Sequence, residues 1–333
     1  MNTEKFTSME ICAGAGGQAL GLEQAGFELC AAAEIDADAC RTLKHNRSHW
    51  NVLNTDVREI DGRQFEGVDL FAGGVPCPPF SIAGKQLGEK DERDLFPEAL
   101  RLVKRIKPKA VMLENVRGFS TDKFQYYRDN LYREFSSLGY KISWKVLNAS
   151  DYGVPQLRPR FVLVALLEEF SPFFRWPEGN TRAVTVADAL GDLMSSNGWP
   201  GKDKWMERAS EIAPTLVGGS KKHGGADLGP TRAKQRWKEL GVNGCGIAYL
   251  PPGPDMPVDE LPKLTLEMVA RIQGFPDEWE FQGSKTSKYR QIGNAFPPPV
   301  AKNVSGSIVS ALKKVKTDNA VRGQQILFGD VCA

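Results

Sequence analysis

The chain has 333 residues, of which 41% are hydrophobic and 25% charged, the make-up of a globular protein with one large domain or two ordinary ones. No apolar run approaches a membrane span, the first five residues lack the regions of a secretory leader, and a net charge of only +2 leaves any nucleic-acid partner to be argued locally. Six scattered cysteines without a C-x-x-C pair and only three histidines argue against a zinc site, a histidine metal centre and a disulfide framework, and for a reducing, cytoplasmic setting.

Residues 7–12 read as a short strand, followed by Ala13-Gly14-Ala15-Gly16-Gly17 and a helical pattern through Leu20, Leu22 and Ala25 that stops at Gly26. Gly14-x-Gly16-x-x-Ala19 fits the dinucleotide fingerprint in its Gly/Ala form, with glycines for close backbone approach and a helix start that favours a negative group. A second strand, Leu29 to Ala33, ends in Glu34, placed to accept hydrogen bonds from ribose hydroxyls. Asp36 is suited to cap a helix through Ala39 and Leu43, and Val52 to Val57 has strand character with Asp56 at its end.

The apolar run Val68 to Ala72 predicts a buried strand, and Gly73-Gly74-Val75-Pro76-Cys77-Pro78-Pro79 then holds Cys77 on a stiff turn at its carboxyl end. Free cysteines are mostly small buried hydrophobes. Cysteines among prolines on a strand-ending turn are not, so the setting favours a nucleophile. Gly14, Glu34, Asp56 and Cys77 thus arrive at one sheet edge, the edge at which open α/β sheets bind ligands. The glycine-punctuated, charged segment from Ser81 to Asp94 predicts a loop beside that edge.

A helix from Leu95 to Ile106 and a strand from Lys109 to Leu113 follow, the strand ending in Glu114, which is read as facing the same pocket. Residues 122–138 have a helical pattern, and Tyr140 to Leu147 and Phe161 to Leu167 read as strands. Between them Gln156, Arg158 and Arg160 lie in a proline-fixed segment that points both guanidinium groups to one side, suited to carbonyl or phosphate oxygens.

From about Phe170 the periodicity is lost. Eleven glycines fall between Asn197 and Asp255, and residues 202–238 hold 9 Lys and Arg against 4 Asp and Glu, interleaved with Trp199, Trp205 and Trp237. That composition fits either a surface for a phosphate-bearing partner or an irregular solvated domain. Regular pattern returns near 263, with a helix to Gln273 and another through Val300, Val304, Ile308 and Leu312, before a polar tail whose composition suggests partial disorder. The expected organisation is 1–169, an insert over 170–262, and a return over 263–333.

These blocks, in this order, resemble the prokaryotic DNA (cytosine-5) methyltransferase family. Ala13 to Gly17 is similar to its cofactor loop, Pro76-Cys77 with Phe80-Ser81 to its nucleophile block, and Glu114-Asn115-Val116 to its Glu-Asn-Val triplet. Gln156-x-Arg158-x-Arg160, Arg271 to Pro276, and Gly293-Asn294-Ala295 resemble the remaining blocks. Pro78 stands where the family often has Gln, and Cys12 where an aromatic is common. The resemblance implies a Rossmann-like α/β sheet of the S-adenosylmethionine-dependent type, with an inserted, smaller, irregular target-recognition domain.

It further implies Cys77 as thiolate nucleophile, Glu114 as acid at the cytosine ring, and Arg160 with Arg158 on the O2 side. S-adenosylmethionine would be the methyl donor and S-adenosylhomocysteine the product, without a metal. Glu34 would hold the ribose, Asp56 and Val57 the adenine, and Gly14, Ala15, Gly16 and Asn294 the methionine part, with Cys12, Ala13, Ile35, Pro76 and Ala295 completing the lining. Ser81, Lys85 and Arg93 would touch phosphates of double-stranded DNA around a flipped base. The family also implies a monomer and leaves open a cognate restriction endonuclease. The rival readings are a transfer-RNA cytosine methyltransferase, whose Cys-Phe-Thr signature is missing, a nicotinamide-dependent dehydrogenase, and a non-catalytic DNA-binding protein.

Overall fold

A strand buried on both faces needs apolar side chains on both, and β1 (Phe6–Ile11) meets this on one side with Met9 and Ile11. Its other side carries Ser8 and Glu10, polar yet fully buried, an anomaly with consequences below. The computed structural model describes residues 5–76, 94–179, 182–219 and 225–329.

After β1 come α1 (Gly17–Gln24), β2 (Phe27–Glu34), α2 (Ala37–Asn46), β3 (Val52–Asn54), β4 (Leu70–Gly74), α3 (Phe96–Ile106) and β5 (Ala110–Val116). Then follow α4 (Gln125–Ser137), β6 (Tyr140–Asn148) and β7 (Pro159–Leu167). The seven strands lie in the order β3-β2-β1-β4-β5-β7-β6, and β7 runs antiparallel to both β5 and β6. The chain steps outward from β1 to β2 and β3, then adds β4 on the other side of β1. That reversal opens a crevice at the carboxyl ends of β1 and β4.

One face of the sheet packs on α3 and α4 through Phe96, Leu102, Leu131 and Phe135. The other packs on α1 and on α10 (Pro298–Gly329), with Leu22, Val304 and Ile308 against Leu70, Ala72 and Met112. The edges are short or polar, as exposed edges require: β3 has three residues, and on β6 the half-exposed Trp144 is covered by the Arg128 guanidinium at 5.3 Å.

Three sequence expectations change. The strand expected over Val52 to Val57 ends at Asn54, because Asp56 instead caps a short helical turn, Val57–Glu59, with Oδ1 accepting from the Arg58 amide at 3.0 Å. The insert contains α5 (Val186–Ser195), α6 (Lys202–Arg208) and α7 (Thr231–Glu239), and its Trp199, Trp205 and Trp237 are buried rather than displayed among the basic residues. These rings anchor a core shared with α8 (Leu266–Gln273) and α9 (Lys285–Asn294), and reaching Leu20 of α1 and Leu43 of α2. Finally, the polar tail continues α10 as far as Gly329.

Candidate active site

The turn after β1 is built from backbone that side chains resist. Gly14 and Gly16 have φ of 54° and 87°, and a Cβ on Gly16 would meet Leu43 Cδ2 at 2.6 Å. Cys12 adopts φ 52° without that freedom, the kind of local strain that collects at ligand sites. The Trp279 indole donates to the Ala15 carbonyl at 3.2 Å and fixes the turn from outside. Glu34, at the end of β2, accepts the Gly14 amide on Oε2 at 2.8 Å and the Asp36 amide on Oε1 at 2.7 Å. Its carboxylate is therefore held rigidly, with lone pairs left for further donors.

From this turn a pocket of about 640 Å³ runs along the crevice to the end of β4 and to Glu114. Every residue proposed above for the cofactor lines it except Gly16, which lies in the turn behind: Cys12, Ala13, Gly14, Ala15, Glu34, Ile35, Asp56, Val57, Pro76, Asn294 and Ala295. Ile35 is 66% exposed and offers a bare apolar face at the mouth. Burial, followed by the nearby Glu34 charge, pushes the Cys12 thiol far above its ordinary range, so it is an inert lining group.

Among the pocket residues that escaped the sequence reading, two carry unpaired buried oxygens. Glu10 is 1% exposed and Gln18, on α1, 3% exposed; Oε2 of the first and Oε1 of the second have no hydrogen-bond partner among the described residues. Burial, and then the Glu34 charge, raises the Glu10 carboxyl well above the usual range. Both residues line the pocket, so a ligand with N–H donors could complete their unpaired oxygens. The signal was present in the sequence: an acid inside a strand, two residues before the glycine turn's first strained position.

At the other end of the pocket Glu114 (β5) and Arg160 (β7) meet across an antiparallel pair, with Arg160 Nε 2.9 Å from Glu114 Oε1 and both side chains 12% exposed. Burial raises the Glu114 carboxyl above its ordinary value; the Arg160 charge, and behind it that of Arg158, pulls the other way without cancelling the shift. Burial likewise lowers the Arg160 guanidinium. Such a carboxyl can carry a proton nearer to neutral pH than an exposed one. Next to it, Asn115 donates from Nδ2 to the Val75 carbonyl at 2.7 Å, and the Leu95 amide donates to the Pro76 carbonyl at 3.3 Å. The start of the Pro-Cys turn is thus tied to β5 and to the beginning of α3.

Arg158 is placed differently from its neighbour. It is fully buried, and its guanidinium donates to Gln156 Oε1, to the Leu216 carbonyl at 2.7 Å, to the Gly293 carbonyl at 2.7 Å and to the Ala295 carbonyl at 3.1 Å. These bonds occupy both terminal nitrogens, leaving only Nε without a partner among the described residues, so the expected shared orientation of the two arginines onto one ligand gives way to a division. Arg160 faces Glu114, while Arg158 clamps the insert and the end of α9 to the strand. Cys77, Ser81, Lys85 and Arg93 lie outside the described residues.

A family model described as C-5 cytosine-specific DNA methylase matches residues 6–310. The type II methyltransferase M.NaeI of Lentzea aerocolonigenes is 57% identical over 308 residues, 91% of this chain and 75% of that protein. The type II methyltransferase M.NgoMIV of Neisseria gonorrhoeae is 55% identical over 313 residues, 93% of this chain and 99% of that one. Among solved structures, the Spodoptera frugiperda DNMT2 protein superposes with a TM-score of 0.62 at 20% identity, covering 93% of this chain and 99% of its own, a likeness of fold.

Proposed function

The chain belongs to the C-5 cytosine-specific DNA methylase family and is a DNA (cytosine-5) methyltransferase, and from that premise we propose that its methyl donor is S-adenosylmethionine and its acceptor a cytosine flipped out of a specific duplex sequence. By the same relatives' names we assign it to the type II modification enzymes. The dehydrogenase, transfer-RNA and non-catalytic readings are not favoured.

One arrangement carries the proposal: the buried Glu114–Arg160 pair stands at one end of a pocket whose other end is the Gly14 turn with Glu34. The donor supplies, when bound, an electrophilic methyl group on a positively charged sulfur. The pocket fits such a molecule. Glu34 accepts ribose hydroxyls, Ile35 and Val57 give the adenine apolar surface with Asp56 beside them, and the orphaned oxygens of Glu10 and Gln18 suit an ammonium group.

Carbon 5 of cytosine is too weak a nucleophile to take a methyl group unaided. Cys77 thiolate adds to carbon 6, which makes carbon 5 enamine-like. Glu114 shares a proton with ring nitrogen N3, for which its raised affinity for a proton suits it. Arg160 holds Glu114 and stabilises negative charge developing on the O2 side. Carbon 5 takes the methyl group and the donor leaves as its neutral thioether. Transfer of the carbon-5 proton to water then restores the ring double bond and expels Cys77 as thiolate. A base inside a duplex cannot reach these groups, so it must leave the stack, with Ser81, Lys85 and Arg93 holding phosphates around it.

The test is transfer of label from radiolabelled S-adenosylmethionine to mixed-sequence duplex DNA. Wild-type protein should yield 5-methylcytosine, and Cys77→Ala none while retaining cofactor binding. Turnover in Cys77→Ala above background would refute the nucleophile, and a wild type that fails to bind the cofactor would refute the pocket.

A further inference from the structure

Ala15 lies within the cofactor turn and lines the pocket, and its carbonyl accepts a hydrogen bond from the Trp279 indole N–H at 3.2 Å. No other donor among the described residues reaches that carbonyl. The indole comes from 264 residues further along the chain, in the segment that returns after the insert. The turn it holds is one that a free chain would leave. Cys12, Gly14 and Gly16 all have positive φ, and only the glycines adopt it without strain. The ring also bears on the turn directly: a Cβ on Gly16 would stand 3.0 Å from Trp279 Cζ2, so the indole leaves the backbone little slack on that side.

Trp279 is itself firmly set. It is buried, with ring centroids 6.0 Å from Phe275 and 6.1 Å from Trp50, and the Arg47 guanidinium lies 5.3 Å from its own centroid. Arg47 is in turn paired with Glu23 of α1 at 2.8 Å. The residues that follow Trp279 are clamped to α2. Asn46 accepts the Glu280 amide at 2.9 Å and donates to the Glu280 carbonyl at 2.8 Å, and the Gln282 amide donates to Thr42 Oγ1 at 2.8 Å. A buried indole N–H usually finds an acceptor, and a purely structural role would end there. Here the acceptor belongs to a strained turn in the pocket wall, and the ring is too tightly packed to follow the turn if it moves.

We infer that Trp279 is a positioning residue for the methyl donor: its N–H holds the Ala15 carbonyl, and with it the glycine turn, in the conformation that receives the ligand before the ligand arrives. This rests on the reading of the pocket as the S-adenosylmethionine site and deepens it. A turn free to open binds only in the fraction of molecules that have it closed, so apparent affinity falls by that fraction. Chemistry after binding is untouched, because Trp279 braces the turn from outside and is not part of the pocket lining.

The experiment replaces Trp279 with β-(3-benzothienyl)alanine, which keeps the shape of the ring and has sulfur where the N–H was, and sets Trp279→Phe beside it. S-adenosylhomocysteine affinity, amide hydrogen exchange, urea midpoints and methyl-transfer kinetics are measured on the full chain. In the isostere, affinity should fall about 2- to 12-fold, the worth of one hydrogen bond, with KM for S-adenosylmethionine raised alongside and kcat unchanged. Exchange should quicken over residues 12–17 and stay as in wild type across the strands. Trp279→Phe should weaken binding at least as much. Unchanged affinity in the isostere would overturn the inference. So would faster exchange throughout the chain with a lower urea midpoint, the mark of a merely structural ring. A wild type that binds no S-adenosylhomocysteine would instead sink the cofactor reading beneath it.

Discussion

At the scale of single residues, Arg158 and Arg160 show how far identity of type can diverge in role. The two lie two residues apart, yet one spends its terminal nitrogens on carbonyls from two distant segments and the other pairs with Glu114. Burial drives the Arg158 guanidinium well below its ordinary value, and the surrounding oxygens compensate the charge. Arg158→Lys should therefore lower unfolding stability by about 3 kcal/mol, since one ammonium cannot satisfy carbonyls on opposite sides. Arg160→Lys should leave the urea midpoint nearly unchanged and lower kcat, because its partner Glu114 is the proposed acid at the cytosine ring. Equal stability losses in the two variants would remove the distinction. Sequence spacing suggested that both arginines point to one side. It could not divide their labour, because the carbonyls that claim Arg158 come from residues 216, 293 and 295.

At the scale of elements, the cofactor turn depends on how closely α1 lies against α10. A Cβ on Gly21 would collide with Ala301 and stand 2.7 Å from the Lys302 amide nitrogen. Two effects oppose each other in Gly21→Ala. Helix propensity would gain about 1 kcal/mol, and overpacking would cost about 1–3 kcal/mol and push α1 off its seat. Packing should win. The variant should unfold at lower urea and bind S-adenosylmethionine more weakly, because α1 begins where the Gly14 turn ends. Calorimetric titration and urea melts check both halves, and a stabilised variant with unchanged affinity would contradict the account. The start of α1 was readable from Gly14 to Gly17, and the Asp36 cap of α2 likewise, with Oδ1 accepting the Asp38 and Ala39 amides. Local chemistry decides both.

At the scale of the whole molecule, two buried carboxyls, Glu10 and Glu114, have their proton affinity raised by burial. Each stays protonated in the folded chain to a higher pH than in the unfolded chain, where a glutamate ionises near 4.3. Their contribution is fully present below that value and is lost as pH rises toward the folded-state pKa, at about 1.4 kcal/mol per pH unit for each group. Urea midpoints measured across that window should fall less steeply with rising pH in Glu10→Gln, which keeps the shape and cannot ionise. Parallel slopes in the two proteins would show that Glu10 does not titrate as described. Much of the architecture followed from the sequence by itself: apolar runs of strand length, each ending in a glycine or acid turn, put Gly14, Glu34, Asp56 and Glu114 along one pocket, since period and turn chemistry act over a few residues. Only the tertiary structure decided that β7 inserts antiparallel between β5 and β6, that the insert's tryptophans form a core continuous with α8 and α9, and that Glu10 and Gln18 leave open oxygens in the pocket. Those outcomes depend on which distant surfaces meet, and burial by a partner far along the chain leaves no mark on the composition of the segment that is buried.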